Sequence, residues 1–360
     1  MAQIWHMREY KPSDETDIKK LYCLVFGVDL DADQWRWRYV NNPTGLVAIT
    51  IAEAEEGIVG QYALLPVIAK VGDTVRTVAL SLDTMVHPDY RGQGMFSKLA
   101  MDLYKRVERK GVPLIYGFPN EASHHGFVAR LGWVDLCERV PLFIRPLDVK
   151  RILGTKVNNH LFLTVGEWIG LTGWSLLCPT RPSELPDGCT IQQVDSFDEC
   201  VDQLWEHASS ALNITVVRNY RYLNWRYVEK PGDEYTIFTL EGAGDILGYV
   251  VLKIVKKFGL QIGFVVDLLA VPDQPNISRY LISKAVEYFK ELQADMISCM
   301  MLKQGPYIQA LKKSGFLFVP PKFHPQEMYL GVRRNTKEYP AEFITNPNNW
   351  YVTWGDHDDV

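Results

Sequence analysis

The chain has 360 residues, a length that suits about two domains. Its 47% hydrophobic and 22% charged residues are the composition of a globular protein with sizeable cores. A net charge of -5 excludes a broadly basic surface, and with it a nucleic-acid partner.

From the N-terminus, "MAQIWHMREYKPSDE" lacks a basic stretch followed by an apolar one, so no secretory signal is expected. Six cysteines without a CxxC pair read as free thiols of a cytoplasmic protein. A helix is predicted over 14–26. Apolar and alternating runs predict strands over 46–54, 57–70 and 74–87. Phe96, Leu99, Leu103 and Val107 then recur at helical spacing and predict a buried helical stripe. A short strand at 113–118 and a helix stopped at Gly132 follow.

The same order returns in the second half: a helix at 196–209, strands at 234–240, 245–255, 260–271 and 294–301, and a helix stopped at Gly315. Identities accompany it. Trp37, Arg38, Tyr39, Val40 and Pro43 recur at one offset as Trp225, Arg226, Tyr227, Val228 and Pro231, and Gly60 recurs as Gly248. "LDTMVHPD" (82–89) answers "VDLLAVPD" (266–273), pairing Asp83 with Asp267. The chain therefore reads as two copies of one α/β (α+β) fold, each a mixed, mostly antiparallel sheet flanked by helices. The expected boundaries are 1–147, a linker 148–190, 191–336 and a tail 337–360. The repeated "WRYV" reads as a corner that supports the fold in both copies.

Two segments stand outside the repeat. "LFLTVGEWIGLTGWSLLC" (161–178) is apolar but interrupted by Glu167 and three glycines, so a linker helix is expected in preference to a membrane span. The tail "NPNNWYVTWGDHDDV" (346–360) predicts a terminal strand with a frayed acidic end. Adjacent side chains on an extended chain face opposite ways, so Asp356, His357, Asp358 and Asp359 are not expected to converge on a metal.

The chemistry concentrates at "VHPDYRGQGMFSKL" (86–99), where a strand turns into a helix through Arg91, Gly92, Gln93 and Gly94. Two readings fit. Glycines make a tight turn. They also let backbone N–H groups at a helix N-terminus close on an anion, with Arg91 adding charge. The stretch resembles the acyl-CoA pyrophosphate loop of the GNAT superfamily of N-acyltransferases, whose pattern is Arg/Gln-x-x-Gly-x-Gly/Ala. Arg91 and Gly94 match, and Phe96 stands where the last small residue belongs. The second copy reads "VPDQPNISRYL", without glycines, and Pro275 lacks an N–H. The resemblance thus implies tandem GNAT-like domains of which only the first binds acyl-CoA.

It further implies that Arg91, Gly92, Gln93, Gly94, Met95 and Phe96 meet the cofactor, with Asn120 nearby. Backbone groups at Met85 and Val86 would hold the pantetheine arm and thioester carbonyl. The co-substrate is then acetyl-CoA or another acyl-CoA, and the acceptor a small-molecule amine such as a nucleotide-linked amino sugar. The family's usual acid, a tyrosine, would fall at Val128 and is absent. Asp83 is the first candidate general base, because a carboxylate in an apolar strand needs a reason to be there. A structural role shared with Asp267 is its alternative. His124 and His125 have a suitable pKa for a base, and adjacent helical positions let at most one face inward. A non-catalytic acyl-CoA-binding or scaffolding protein is the rival reading.

Overall fold

Runs of β-branched and apolar residues broken by glycine at 57 and 72 give three long antiparallel strands, β2 (Ala48–Ala54), β3 (Gly57–Val71) and β4 (Thr74–Val86). A computed structural model describes residues 4–154, 185–324 and 327–357. The apolar segment 161–178 lies outside the described residues. The strands begin and end within two residues of the sequence expectation.

The described chain divides into two units, each drawn from separate stretches. The first comprises residues 1–137, 229–232 and 328–346. Its sheet runs β1 (His6–Glu9), β2, β3, β4, β5 (Leu114–Gly117), β15 (Leu330–Arg334), β6 (Val134–Cys137). All neighbours are antiparallel except β4 and β5. Helix α1 (Glu15–Phe26) packs on β3 and β4, and α3 (Met95–Arg109) on β2 and β3. With helices on its faces the sheet centre is buried, which is why β3 reads as one apolar run rather than an alternation. The stripe of α3 buries Met95, Leu99, Leu103, Tyr104 and Val107 against Val59, Tyr62, Ala79 and Ile115. Each fully buried aliphatic side chain there contributes about 1.5–3 kcal/mol relative to exposure. The first "WRYV" ends a short helix, α2 (Ala32–Tyr39), started by the Asp31 carboxylate, which accepts from the Asp33 and Gln34 N–H groups. α4 (Glu121–Leu131) is capped by Asn120 and stopped by Gly132.

The second unit comprises 138–228, 233–327 and 347–360. Its sheet runs β8 (Cys189–Val194), β10 (Thr236–Gly242), β11 (Asp245–Lys257), β12 (Leu260–Ala270), β13 (Met296–Met300), β7 (Leu142–Pro146), β14 (Leu317–Val319), and the short β9 (Ile214–Val216) stands outside it. The order is that of the first sheet, and again one pair, β12 with β13, is parallel. Gly60 faces Val86 across β3 and β4 as Gly248 faces Ala270 across β11 and β12, so the sequence repeat is a repeat of register.

The slot between β5 and β6 is filled by β15, from late in the chain, and the matching slot between β13 and β14 by β7, from early in it. The units thus differ from the repeats in one exchanged strand each. β7 is buried throughout as "LFIRP" and needs hydrogen-bonding neighbours on both edges, which β13 and β14 supply.

The tail is not frayed as far as residue 357. Trp350, Tyr351, Val352, Thr353 and Asp356 are buried, and in place of a strand there is one bridge, Ile214 to Trp350. The aromatics that suggested a strand fill the second unit's core instead.

Candidate active site

β4 leads into the turn. At Asp83 the backbone takes φ 47°, and the register with β3 shifts between Gln61 and Ala63. This is a bulge, and it aims the Asp83 carboxylate at α2. Asp83 Oδ2 accepts from Arg38 Nη1 at 2.7 Å and from the Tyr39 hydroxyl at 2.8 Å. The Gln61 amide donates to the Asp83 carbonyl at 3.2 Å. The bulge is thereby held on both its side chain and its backbone. On the other edge of β4, the parallel register with β5 covers Ala79, Leu80 and Ser81 and stops at Ser81 opposite Gly117. β4 itself continues to Val86, so its last residues run beyond that pairing, with Met85 buried and Val86 half-buried.

The turn has the conformation that glycine favours. Gly92 and Gly94 sit at φ 77° and 75°. No neighbour crowds Gly92, so backbone conformation and not space is what selects glycine there. Gly94 is the N-cap of α3 and has no side chain to close the first turn, which leaves the N–H groups of that turn available to an anion. Arg91 is exposed beside them. The second unit has none of this: α8 (Pro275–Glu291; α5, α6 and α7 are Val149–Gly154, Val201–Ser209 and Tyr220–Tyr227) begins at Gln274-Pro275 with negative φ at its cap.

Phe96, the departure from the GNAT pattern, is accommodated from the opposite helix. Its ring meets Phe127 edge-on at 5.3 Å and Tyr62 at 6.0 Å, and it lies against Gly126 of α4. Gln93 is half-buried and Met95 buried, its sulfur against Gly60.

The remaining candidates group around α4. Asn120 Oδ1 accepts from the Ser123 N–H at 3.1 Å and hydroxyl at 3.0 Å. His124 Nε2 lies 2.8 Å from Asp135 Oδ2, and its ring stacks on Tyr329 at 3.6 Å. His125 is exposed. Of the two, His124 faces the protein, as adjacent helical positions require.

Two features had no sequence signal of their own. Arg38 and Tyr39 reach Asp83 only because the bulge turns it toward them. A hydroxyl chain also crosses the core of the first unit. Trp133 Nε1 donates to Tyr104 at 3.0 Å, the Tyr104 and Tyr62 hydroxyls are 2.6 Å apart, and Tyr62 is 2.8 Å from Ser81 Oγ. Burial pushes the Tyr104 phenol up to about 12 and that of Tyr62 well above its usual range. Both are neutral at physiological pH.

In the second unit the corresponding region is filled by the chain itself. Asp267 takes Arg218 Nε at 3.0 Å, the Tyr249 hydroxyl at 2.9 Å and the Thr353 hydroxyl at 3.1 Å. Arg226, the repeat of Arg38, donates to the carbonyls of Gly355 and His357, each at 3.0 Å. The Tyr351 hydroxyl donates to the Leu268 carbonyl, and the Tyr307 hydroxyl bonds both the N–H and the carbonyl of Ala270, the repeat of Val86.

A helix-flanked, mostly antiparallel sheet with one parallel pair is the architecture of a GNAT-like fold, and the chain carries it twice; the glycine turn at the helix N-terminus belongs to the first copy. Residues 6–134 match the family model described as acetyltransferase (GNAT) domain. No curated protein matches the chain in sequence. Among solved structures, a conserved protein from Enterococcus faecalis described as a probable N-acyltransferase is similar with a TM-score of 0.64 at 11% identity, over 92% of this chain and 73% of that one. A GCN5-related N-acetyltransferase from Anabaena variabilis is similar with a TM-score of 0.63 at 10% identity, over the same shares, 92% and 73%. At these identities the likeness is one of fold.

Proposed function

We propose that the protein is an acyl-CoA-dependent N-acyltransferase that moves an acetyl or other short acyl group from CoA to a primary amine of a small molecule. The turn at Gly92 and Gly94 carries this reading: two left-handed glycines, an uncapped helix N-terminus and Arg91 together suit a pyrophosphate. Gln93, Met95 and Phe96 complete the loop, and Asn120 caps the helix facing it. The backbone of β4 at Met85 and Val86, past the end of its pairing with β5, would take the pantetheine arm and donate to the thioester carbonyl. Asp83, His124 and His125 are the candidate bases. The second unit, whose equivalent backbone is taken by Tyr307 and Tyr351, would not bind acyl-CoA. A nucleotide-linked amino sugar is one acceptor of this class, and the dispersed cysteines suit a cytoplasmic enzyme.

One observation favours the rival, a non-catalytic acyl-CoA-binding protein: the Asp83 carboxylate is already held by Arg38 and Tyr39. Turnover separates the two. Thermal unfolding with and without acetyl-CoA tests the shared premise. Ligand at 100 times its dissociation constant stabilises the native state by about 2.7 kcal/mol. The shift is expected in wild type and not in Gly94→Trp; its absence from wild type with acetyl-CoA and longer acyl-CoAs overturns both readings. Amine-dependent release of CoA then selects the enzyme.

A further inference from the structure

Asp83 holds a backbone conformation foreign to a strand. Among the described residues, the non-glycines with positive φ are Asp83, Ala243, Phe258 and Gln293. The last three sit in turns between elements, and only Asp83 lies inside a strand. Left-handed backbone is strained for a residue with a side chain, and it persists where the surroundings over-determine it. Here they do: Arg38 and Tyr39 hold the carboxylate, and Gln61 holds the carbonyl. The second copy has no such strain. Asp267 is not left-handed and pairs with Val251, and the extra residue of that strand is Val266. The left-handed bulge thus belongs to the copy that has the glycine turn.

The bulge governs a backbone edge. Asp83 and Thr84 together oppose Tyr62, between the pairs Leu82–Ala63 and Met85–Gln61. The pairing of β4 with β5 has already ended, at Ser81. Beyond the bulge, the His87 N–H donates to the Val59 carbonyl at 2.8 Å. Alternation along an antiparallel strand then turns the N–H and carbonyl of Val86 to the other edge, where β5 no longer pairs. The repeat has the same alternation. The Val271 N–H donates to the Leu247 carbonyl at 2.9 Å, and the N–H and carbonyl of Ala270 meet the Tyr307 hydroxyl instead. A bulge bends its strand and increases the twist, so the conformation at Asp83 sets where the Val86 N–H points.

We propose that Asp83 is a positioning residue and not the general base: tied by Arg38 and Tyr39, its left-handed backbone aims the Val86 N–H at the thioester carbonyl. The inference rests on the acyltransferase reading above and narrows its candidate bases to His124 and His125.

The test compares acetyl-CoA with S-ethyl-CoA, in which a methylene replaces the thioester carbonyl, by calorimetry on the full chain, with a melting temperature for each variant. Wild type is expected to bind acetyl-CoA roughly three- to tenfold more tightly, the worth of one hydrogen bond. Asp83→Asn still accepts from Tyr39 and tolerates left-handed backbone, so it should keep that ratio. Asp83→Ala and Arg38→Ala should abolish the preference, with S-ethyl-CoA affinity unchanged. A preference kept in both alanine variants, or lost in Asp83→Asn, overturns the role. So does a wild type that binds the two analogues equally, or a loss of affinity for both that follows melting temperature. Release of CoA to hydroxylamine above the enzyme-free rate should persist in Asp83→Asn; its loss with the preference intact makes Asp83 the base and overturns the proposal. A wild type that binds neither analogue, or releases no CoA, refutes the acyltransferase reading and this role with it.

Discussion

Gly126 of α4 faces the ring of Phe96 on α3 so closely that a Cβ at 126 would lie 3.0 Å from Phe96 Cε1. The bulk that the GNAT pattern keeps off the head of α3 is present here, and the space for it comes from α4. The pair is therefore coupled. Gly126→Ala should gain up to about 1 kcal/mol of helix propensity only when the ring is absent. In wild type the gain is cancelled by displacing Phe96, and in Phe96→Ala it is recovered. A double-mutant cycle by urea unfolding reads this directly, and additivity within about 0.5 kcal/mol would show that the contact carries no energy.

The buried Arg218 is held by two carboxylates, Asp267 at 3.0 Å and Asp356 at 2.8 Å. Removing one partner of a buried pair typically costs about 3–5 kcal/mol because it strands the other charge. Asp267→Ala is expected to fall in that range by guanidinium unfolding. Asp356→Asn should cost less, since its amide oxygen can still accept from Arg218, whereas Asp267→Ala also strands the buried Tyr249 hydroxyl. Values within about 0.5 kcal/mol of wild type for both, the size of an ordinary surface change, would contradict the buried cluster.

β15 supplies the shared neighbour of β5 and β6. A fragment of residues 1–147 lacks it and leaves the hydrogen-bonding edges of two strands bare. Circular dichroism of that fragment is expected to show no cooperative melting, and calorimetry no acetyl-CoA binding. Joining 328–346 after residue 137 through a flexible linker should restore cooperative melting. A fragment 1–147 that melts cooperatively without the extra strand would show β15 to be dispensable.

Arg8 holds Glu53 through two hydrogen bonds, at 2.6 and 2.9 Å, and this lowers the Glu53 carboxyl below its usual range. A carboxylate whose pKa is lower folded than unfolded stabilises the native state above the unfolded value of about 4.3, and that contribution disappears as pH falls through the folded value. Wild type should thus exceed Glu53→Gln in stability near pH 6, with the difference shrinking as pH falls below about 4. A difference constant over that window would show that Glu53 is not linked to folding.

The two copies of the fold, the long central strands and the glycine turn were all legible in the linear chain. Each depends on local chemistry: apolar periodicity places strands and the α3 stripe, and left-handed backbone at 92 and 94 favours glycine whatever surrounds it. What Asp83 touches could not be read that way. Its direction is set by a bulge, and its partners Arg38 and Tyr39 lie more than 40 residues away in a motif that looked like a corner. Likewise Tyr62, Tyr104 and Ser81 read as separate core positions until the sheet and α3 brought their hydroxyls into line. The exchange of β7 and β15, and the folding of residues 350–357 into the second core, were decided only in three dimensions. Strand pairing and burial depend on which edges and cavities remain open once the rest has packed, and sequence distance carries no record of that.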